Sequence, residues 1–319
     1  MTNRTISRGR RTFLAAVPAA LAGIALPAFA GFDNDQFRIG YQKAASTLVL
    51  LKAKGTLDKR LAPLGVKVTW TEFPAGPQLL EGLNVGAIDF GYVGEAPPVF
   101  AQAAGADFVY TAYEVPTPRA EGVVVARNSP IRTVADLKGK KIAFNRGSDV
   151  HWFIIALLRK HGLDYGDIQP AFLAPADARA ALERQVIDAW AIWDPFLAAA
   201  QSQGNARLLA DAQGVASHHQ FFLSQREYAQ KRHDVIAAAM DELGKEGQWI
   251  RQNHAAAAAL LAPIQGLDAA TIQTGLEHYE HVYRPISPDV LAEQQRIADT
   301  FLELKLIPRK IVTKDAVLA

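Results

Sequence analysis

From about residue 36 to residue 203, short apolar runs alternate with segments of helical periodicity. A strand that feeds an amphipathic helix and then another strand builds a parallel or mixed sheet with helices on its faces, so this alternation commits the chain to an α/β architecture. Strands are expected at 37–41, 66–73, 88–93 and 107–114, with helices at 47–61, 77–85 and 97–104. The pattern then restarts, with strands at 122–126, 140–144, 169–173 and 187–193, a short helical turn at 134–137, and helices at 149–161, 177–185 and 195–203. Beyond residue 225 the strands are expected to stop and the chain to be mostly helical up to about residue 306. Punctuation is strongest at Val115-Pro116-Thr117-Pro118 and again from Gln213 to Ser224. Crossing from one lobe to the other at the first and returning at the second would make one lobe from 31–118 plus 225–319 and the other from 119–224. Hinges are then expected at 115–122 and 221–225.

The first thirty residues have a different character. Arg10-Arg11 is followed by an uncharged stretch rich in Ala and Leu and by Ala28-Phe29-Ala30, the pattern of an export signal of twin-arginine type cleaved after Ala30. Pro18 and Pro27 interrupt a run already short for a membrane span, and no later run reaches the roughly 18 apolar residues that a spanning helix needs. The expected mature chain, about 290 residues, is long enough for two lobes. Residues 1–30 hold four arginines and no acid, so the remainder is slightly acidic, with thirty basic against 32 acidic residues. Without a basic stripe, nucleic acid is not an expected partner. Cysteine is absent, which excludes thiol chemistry and a Cys-linked lipid anchor.

Three strand-to-helix junctions carry polar residues that packing alone does not require: Gly40-Tyr41-Gln42-Lys43 before Ser46-Thr47, Val93-Gly94-Glu95-Ala96-Pro97-Pro98, and Asn145-Arg146-Gly147-Ser148-Asp149. Helix starts present unpaired N–H groups and the positive end of a dipole, and ligands of open α/β sheets lie beyond the carboxyl ends of the strands. Several such starts facing one cleft would hold an anion. Each residue also has a plainer role open to it: Ser46, Thr47, Ser148 and Asp149 as helix caps, Gly94 and Gly147 as turn glycines, Lys43 and Arg146 as solvated cations, and Trp193-Asp194-Pro195 as a core tryptophan and a cap. His151 is either a cleft cation or an ordinary half-buried helix histidine.

Metal and catalytic chemistry find little support. His218-His219 would face opposite sides of a strand, and His278 and His281, three apart on an expected helix beside Glu277 and Glu280, form no zincin motif. Gly147-Ser148 lacks the G-x-S-x-G pattern of a nucleophile elbow, and His151 on the same helix is badly placed to serve Ser148 as a base. No phosphate-binding or dinucleotide glycine fingerprint is present. Neither metal nor cofactor is expected.

At these same positions the sequence resembles the periplasmic aliphatic sulfonate-binding proteins of ABC importers, within the wider group of taurine, nitrate and thiamine-precursor binders. The carrying segments are Arg38-Ile39-Gly40-Tyr41-Gln42-Lys43, residues 72–81, 83–86, 97–107, 134–139 and 175–181, and Asp188-Ala189-Trp190-Ala191-Ile192-Trp193-Asp194-Pro195. The resemblance implies a two-lobed periplasmic binding protein of type II, each lobe a mixed sheet flanked by helices, with the ligand in the interlobe cleft. It implies a monomeric, non-enzymatic receptor that delivers sulfonates to a permease for sulfur acquisition. Ligand contacts are expected from Gln42, Lys43, Gly94, Glu95, Ser148, Asp149, His151, Trp193 and Asp194. Among these, Gln42, Gly94 and Ser148 are the head-group donors, Trp193 the apolar wall, and Lys43 or His151 the source of positive character. A related small anion or a sulfate ester as ligand, a sensor domain, or an enzyme on the same fold are the alternatives. Two departures from the family pattern, Glu95 and Asp149, put carboxylates beside the expected anion site. They suit either a zwitterionic sulfonate carrying an ammonium or a pairing with Lys43 or Arg146 across the cleft.

Overall fold

Each strand-then-helix unit of the sequence needs a neighbouring strand, and the chain meets that need in two separate mixed sheets. The computed structural model describes residues 35–203 and 205–318, so the export signal and its cleavage position lie outside the described residues. The strands are β1 (Gln36–Tyr41), β2 (Lys67–Glu72), β3 (Phe90–Gly94), β4 (Phe108–Glu114), β5 (Glu121–Ala126), β6 (Lys141–Phe144), β7 (Gln169–Phe172), β8 (Ala189–Trp193), β9 (Ala206–Asp211), β10 (Gln220–Gln225) and β11 (Tyr283–Arg284). The first sheet has the order β11-β4-β10-β3-β1-β2 and the second β7-β6-β8-β5-β9. Helical crossovers make β1 parallel to β2 and β3, and β6 parallel to β7 and β8. The strands that enter from the other sheet pair antiparallel: β10 with β3 and β4, and β5 with β8 and β9.

The chain therefore changes sheet at 115–120 and again at 212–219. The second crossing lies upstream of the hinge expected at 221–225, because Phe221, Phe222 and Leu223 are fully buried strand residues wedged between β3 and β4. Residues 220–224 thus belong to the first sheet rather than with 119–219. The two crossing segments run side by side, with the Thr117 amide donating to the Ser217 carbonyl at 3.0 Å, the Thr117 hydroxyl to the His218 carbonyl at 2.9 Å, and the Ala212 amide to the Pro118 carbonyl at 3.1 Å.

Apolar cores cover both sheets, and a further cluster joins them. Ala96 and Val99 on helix Ala96–Ala104 meet Ile155 on helix Asp149–Lys160 and Ile297 and Phe301 on helix Pro288–Glu303. Other departures from the sequence expectation have local causes. The single helix expected over 47–61 is broken in two by Gly55, whose φ of 60° lies in the left-handed region that glycine tolerates. β9 lacks β-branched residues and β11 is only two residues long, so neither carries a strand signal. The last helix before β11 ends at Leu276, so His278 and His281 sit on a loop and their rings go separate ways. Among the described residues no single helix is long and apolar enough to cross a membrane, and no group of three or more His, Cys, Asp or Glu side chains is placed to hold a metal ion.

Candidate functional site

Parallel strands point their carboxyl ends the same way, and in both sheets those ends face one cleft. Gln42 follows β1, Gly94 ends β3, Ser148 and Asp149 follow β6, and Trp193 ends β8. All five line one small cavity of about 20 Å³, together with Ala44, Ala45, Gly76, Tyr92, Pro97, Gln220 and Tyr279. A wider recess of about 270 Å³ shares Gln42, Ala44 and Trp193 and adds Lys43, Pro74, Pro175 and Phe196. Gln42 is oriented by donation from its Nε2 to the Tyr92 carbonyl at 3.1 Å. The starts of helices Ala96–Ala104 and Asp149–Lys160 both open on this cavity.

Between those two helix starts lies the carboxylate of Asp149. A Cβ on Gly94 would come within 1.7 Å of Asp149 Oδ2, so glycine at that position is what admits the carboxylate. Asp149 Oδ1 accepts from the Ala96 amide at 3.4 Å, and Oδ2 accepts from Gln220 Nε2 at 3.3 Å. The Gln220 Nε2 also lies 2.9 Å from His218 Nε2, and His218 Nδ1 is 2.9 Å from Glu121 Oε2. A chain of polar groups, Glu121, His218, Gln220 and Asp149, thus runs from β5 through the second crossing into the cleft. Burial, reinforced by Glu121 and opposed by His218, pushes the Asp149 carboxyl up to about 6. Burial disfavours a charged His218 ring, but Glu121, Asp149 and Glu114 together raise its pKa.

Of the nine expected contact residues, Gln42, Gly94, Ser148, Asp149 and Trp193 meet in the cavity, and Lys43 reaches only the outer recess, where it is exposed. Ser148 turns its hydroxyl toward the Asn145 carbonyl at 2.8 Å. Glu95 lies behind the cavity wall, fully buried, with Oε2 accepting from the His219 amide at 3.1 Å. Burial, with Glu121 and Asp149 nearby, raises its carboxyl well above the ordinary range. Asp194 is also withdrawn. Its Oδ1 accepts from the Ala198 amide at 2.9 Å and its Oδ2 meets His278 Nδ1 at 2.6 Å, which makes it a helix cap and a tie to the C-terminal helices.

His151 does not supply positive charge to the cleft. Its ring is fully buried among Phe100, Phe144, Phe172 and Phe301. Nδ1 accepts from the Gly147 amide at 3.2 Å, which places the ring proton on Nε2 beside the Tyr165 hydroxyl at 3.1 Å. Burial, then Arg146, lowers its pKa to about 4. Neither departing carboxylate pairs with a basic side chain across the cleft: Lys43 is solvated and the Arg146 guanidinium lies over the Phe172 ring, 5.4 Å from its centroid. Sequence reasoning missed Tyr92, Gln220 and Tyr279. Tyr92 reads as a core aromatic, and its hydroxyl does donate to buried Glu114. Gln220 and Tyr279 arrive from distant segments that no local pattern connects to the cleft.

Residues 63–257 match the family model described as NMT1/THI5 like. A protein of Escherichia coli named as a putative aliphatic sulfonates-binding protein is 46% identical over 278 residues, 87% of this chain and 86% of its own length. The chain belongs to this family. Two solved structures are similar over most of their length. The alkanesulfonate-binding protein of Xanthomonas axonopodis pv. citri bound to MOPS is 44% identical at a TM-score of 0.86, over 90% of this chain and 99% of that one. The periplasmic aliphatic sulphonate binding protein of Escherichia coli is 44% identical at a TM-score of 0.83, over 90% and 93%. The two mixed sheets flanked by helices are the architecture of these periplasmic binding proteins.

Proposed function

We propose that this chain is an exported receptor that captures an aliphatic sulfonate in the cleft between its two sheets and presents it to the permease of an ABC importer. The observation that carries the reading is the convergence of two helix starts and four strand ends on one cavity, in a family member 46% identical to a sulfonates-binding protein. The Ala96 amide and the backbone N–H groups at the start of helix Asp149–Lys160, with Gln42, Gln220 and a Ser148 hydroxyl turned from the Asn145 carbonyl, hold the three sulfonate oxygens; Pro97 and Pro98 have no N–H to offer. Trp193 and the apolar part of the outer recess, Pro74, Pro175 and Phe196, cover the alkyl tail. The paired crossings at 115–120 and 212–219 serve as the hinge, and a ligand that touches both sheets favours the closed form that the permease recognises. Export by the twin-arginine route with cleavage after Ala30, a periplasmic location, and action as a monomer complete the proposal.

The test is calorimetric titration of the mature chain, stripped of carried-over ligand, against alkanesulfonates of increasing length, taurine, sulfate and nitrate. Saturable one-to-one binding of alkanesulfonates without turnover is expected. Binding of sulfate or nitrate alone would overturn the ligand assignment, and chemical conversion of a bound sulfonate would overturn the receptor assignment.

A further inference from the structure

The cavity has an unusual charge for an anion site. Among its lining residues Asp149 is the only one with a charged side chain. Lys43 is exposed in the outer recess, Arg146 stacks on Phe172 and His151 is neutral among aromatic rings, while His218 opposes the Asp149 charge only from behind Gln220, where it also faces Glu121. The Asp149 carboxylate lies where an incoming anion is best held, against Gly94 and the Ala96 amide at a helix start. The space left beside it, about 20 Å³, is little more than one water requires, so a sulfonate head group and the ionised carboxylate compete for one place.

We infer that sulfonate binding is coupled to uptake of one proton at Asp149, which makes this side chain a determinant of which anions the cleft accepts. The inference rests on the receptor reading above. An alkanesulfonate stays ionised across the physiological range, so bringing it beside an ionised carboxylate sets two like charges together in a dry cleft. A proton from solvent added to Asp149 removes the repulsion and turns the side chain from acceptor into O–H donor toward a sulfonate oxygen. The groups facing Asp149 shape this uptake. They are Glu95 ahead of helix Ala96–Ala104, whose own carboxyl is raised by burial, Glu121 on β5, His218 in the second crossing, Gln220 at the start of β10, and Tyr279 on the loop before β11. Burial already holds the Asp149 carboxyl at about 6, so the proton is nearly available at neutral pH. A dianion such as sulfate would need more than this one neutralised acid, and is discriminated against by the same device.

The test is titration of the mature protein with butanesulfonate, which has no titrating group, from pH 5 to pH 8, in buffers of different ionisation enthalpy. Affinity is expected to be flat below about pH 6 and to fall by up to tenfold per pH unit above it, with proton uptake near pH 7 approaching one per ligand. In Asp149→Asn the slope and the proton uptake vanish, and affinity at pH 7.5 is at least that of the unaltered protein. A pH-independent affinity in the unaltered protein overturns the inference. So does a full slope surviving in Asp149→Asn, which would move the proton to Glu95, Glu121 or His218, or a tenfold loss of affinity in that variant at pH 7.5, which would make the carboxylate an acceptor for the ligand. If no alkanesulfonate binds either protein at any pH, the receptor reading itself fails.

Discussion

His151 and His218 are both fully buried, yet their surroundings shift their pKa values in opposite directions. His151 lies among four phenylalanine rings and accepts a backbone N–H, so burial wins and the ring stays neutral, with its pKa near 4. His218 is equally desolvated but faces Glu121, Asp149 and Glu114, and the three acids raise its pKa above the ordinary value. The two rings' contributions to stability have opposite signs. The His151 contribution is whole above the unfolded pKa of about 6.5 and is lost as pH falls toward 4, whereas that of His218 is whole below about 6.5 and is lost as pH rises through its higher folded value. A buried histidine is a charge or a spacer according to its neighbours, and the sequence shows the histidine without them.

The largest effect expected from this contrast is on His218. Replacing it with Ala strands the buried Glu121 carboxylate, and denaturant unfolding at pH 7 should show a loss of about 3–5 kcal/mol; a loss below about 1 kcal/mol would mean that Glu121 is satisfied by other means. Adding Glu121→Gln to that variant removes the stranded charge, so the double variant should regain a substantial part of the stability. For His151, NMR titration should place the ring's midpoint near 4. The pH dependence it imposes between about 6.5 and 4, up to about 3 kcal/mol, should disappear in His151→Phe. That variant also leaves the Gly147 amide without its acceptor, a pH-independent loss of about 1–3 kcal/mol. A His151 midpoint at 6 or above would return the ring to the list of cleft cations. The smallest effect is at Lys43, whose side chain is solvated. Lys43→Ala should change sulfonate affinity by less than about twofold, or roughly 0.4 kcal/mol, and a tenfold loss would show that the lysine folds over the ligand.

Much of the fold was legible because its signals are local. Most of the strands and helices up to residue 203 announce themselves by periodicity, and three of the four strand ends that meet in the cavity are marked by polar residues that packing does not ask for. The misses share a different cause. β9 and β11 are weak edge strands, and β10 enters the first sheet from the opposite direction, so its aromatic run was taken for part of a crossing. Gln220 and Tyr279 reach the cleft only because their segments return to it from far along the chain.

The alternation of apolar runs, the helix starts at Ala96 and Asp149 and the family segments were determined by the sequence itself, since short-range periodicity and turn chemistry are written residue by residue. Tertiary structure alone decided that Glu95 and Asp194 withdraw from the cleft, that His151 is neutral, and that Asp149 sits against Gly94 with no basic side chain lining the cavity beside it. Charge state and access depend on desolvation and on groups more than fifty residues distant in the chain, and both arise only when the two sheets close on one another.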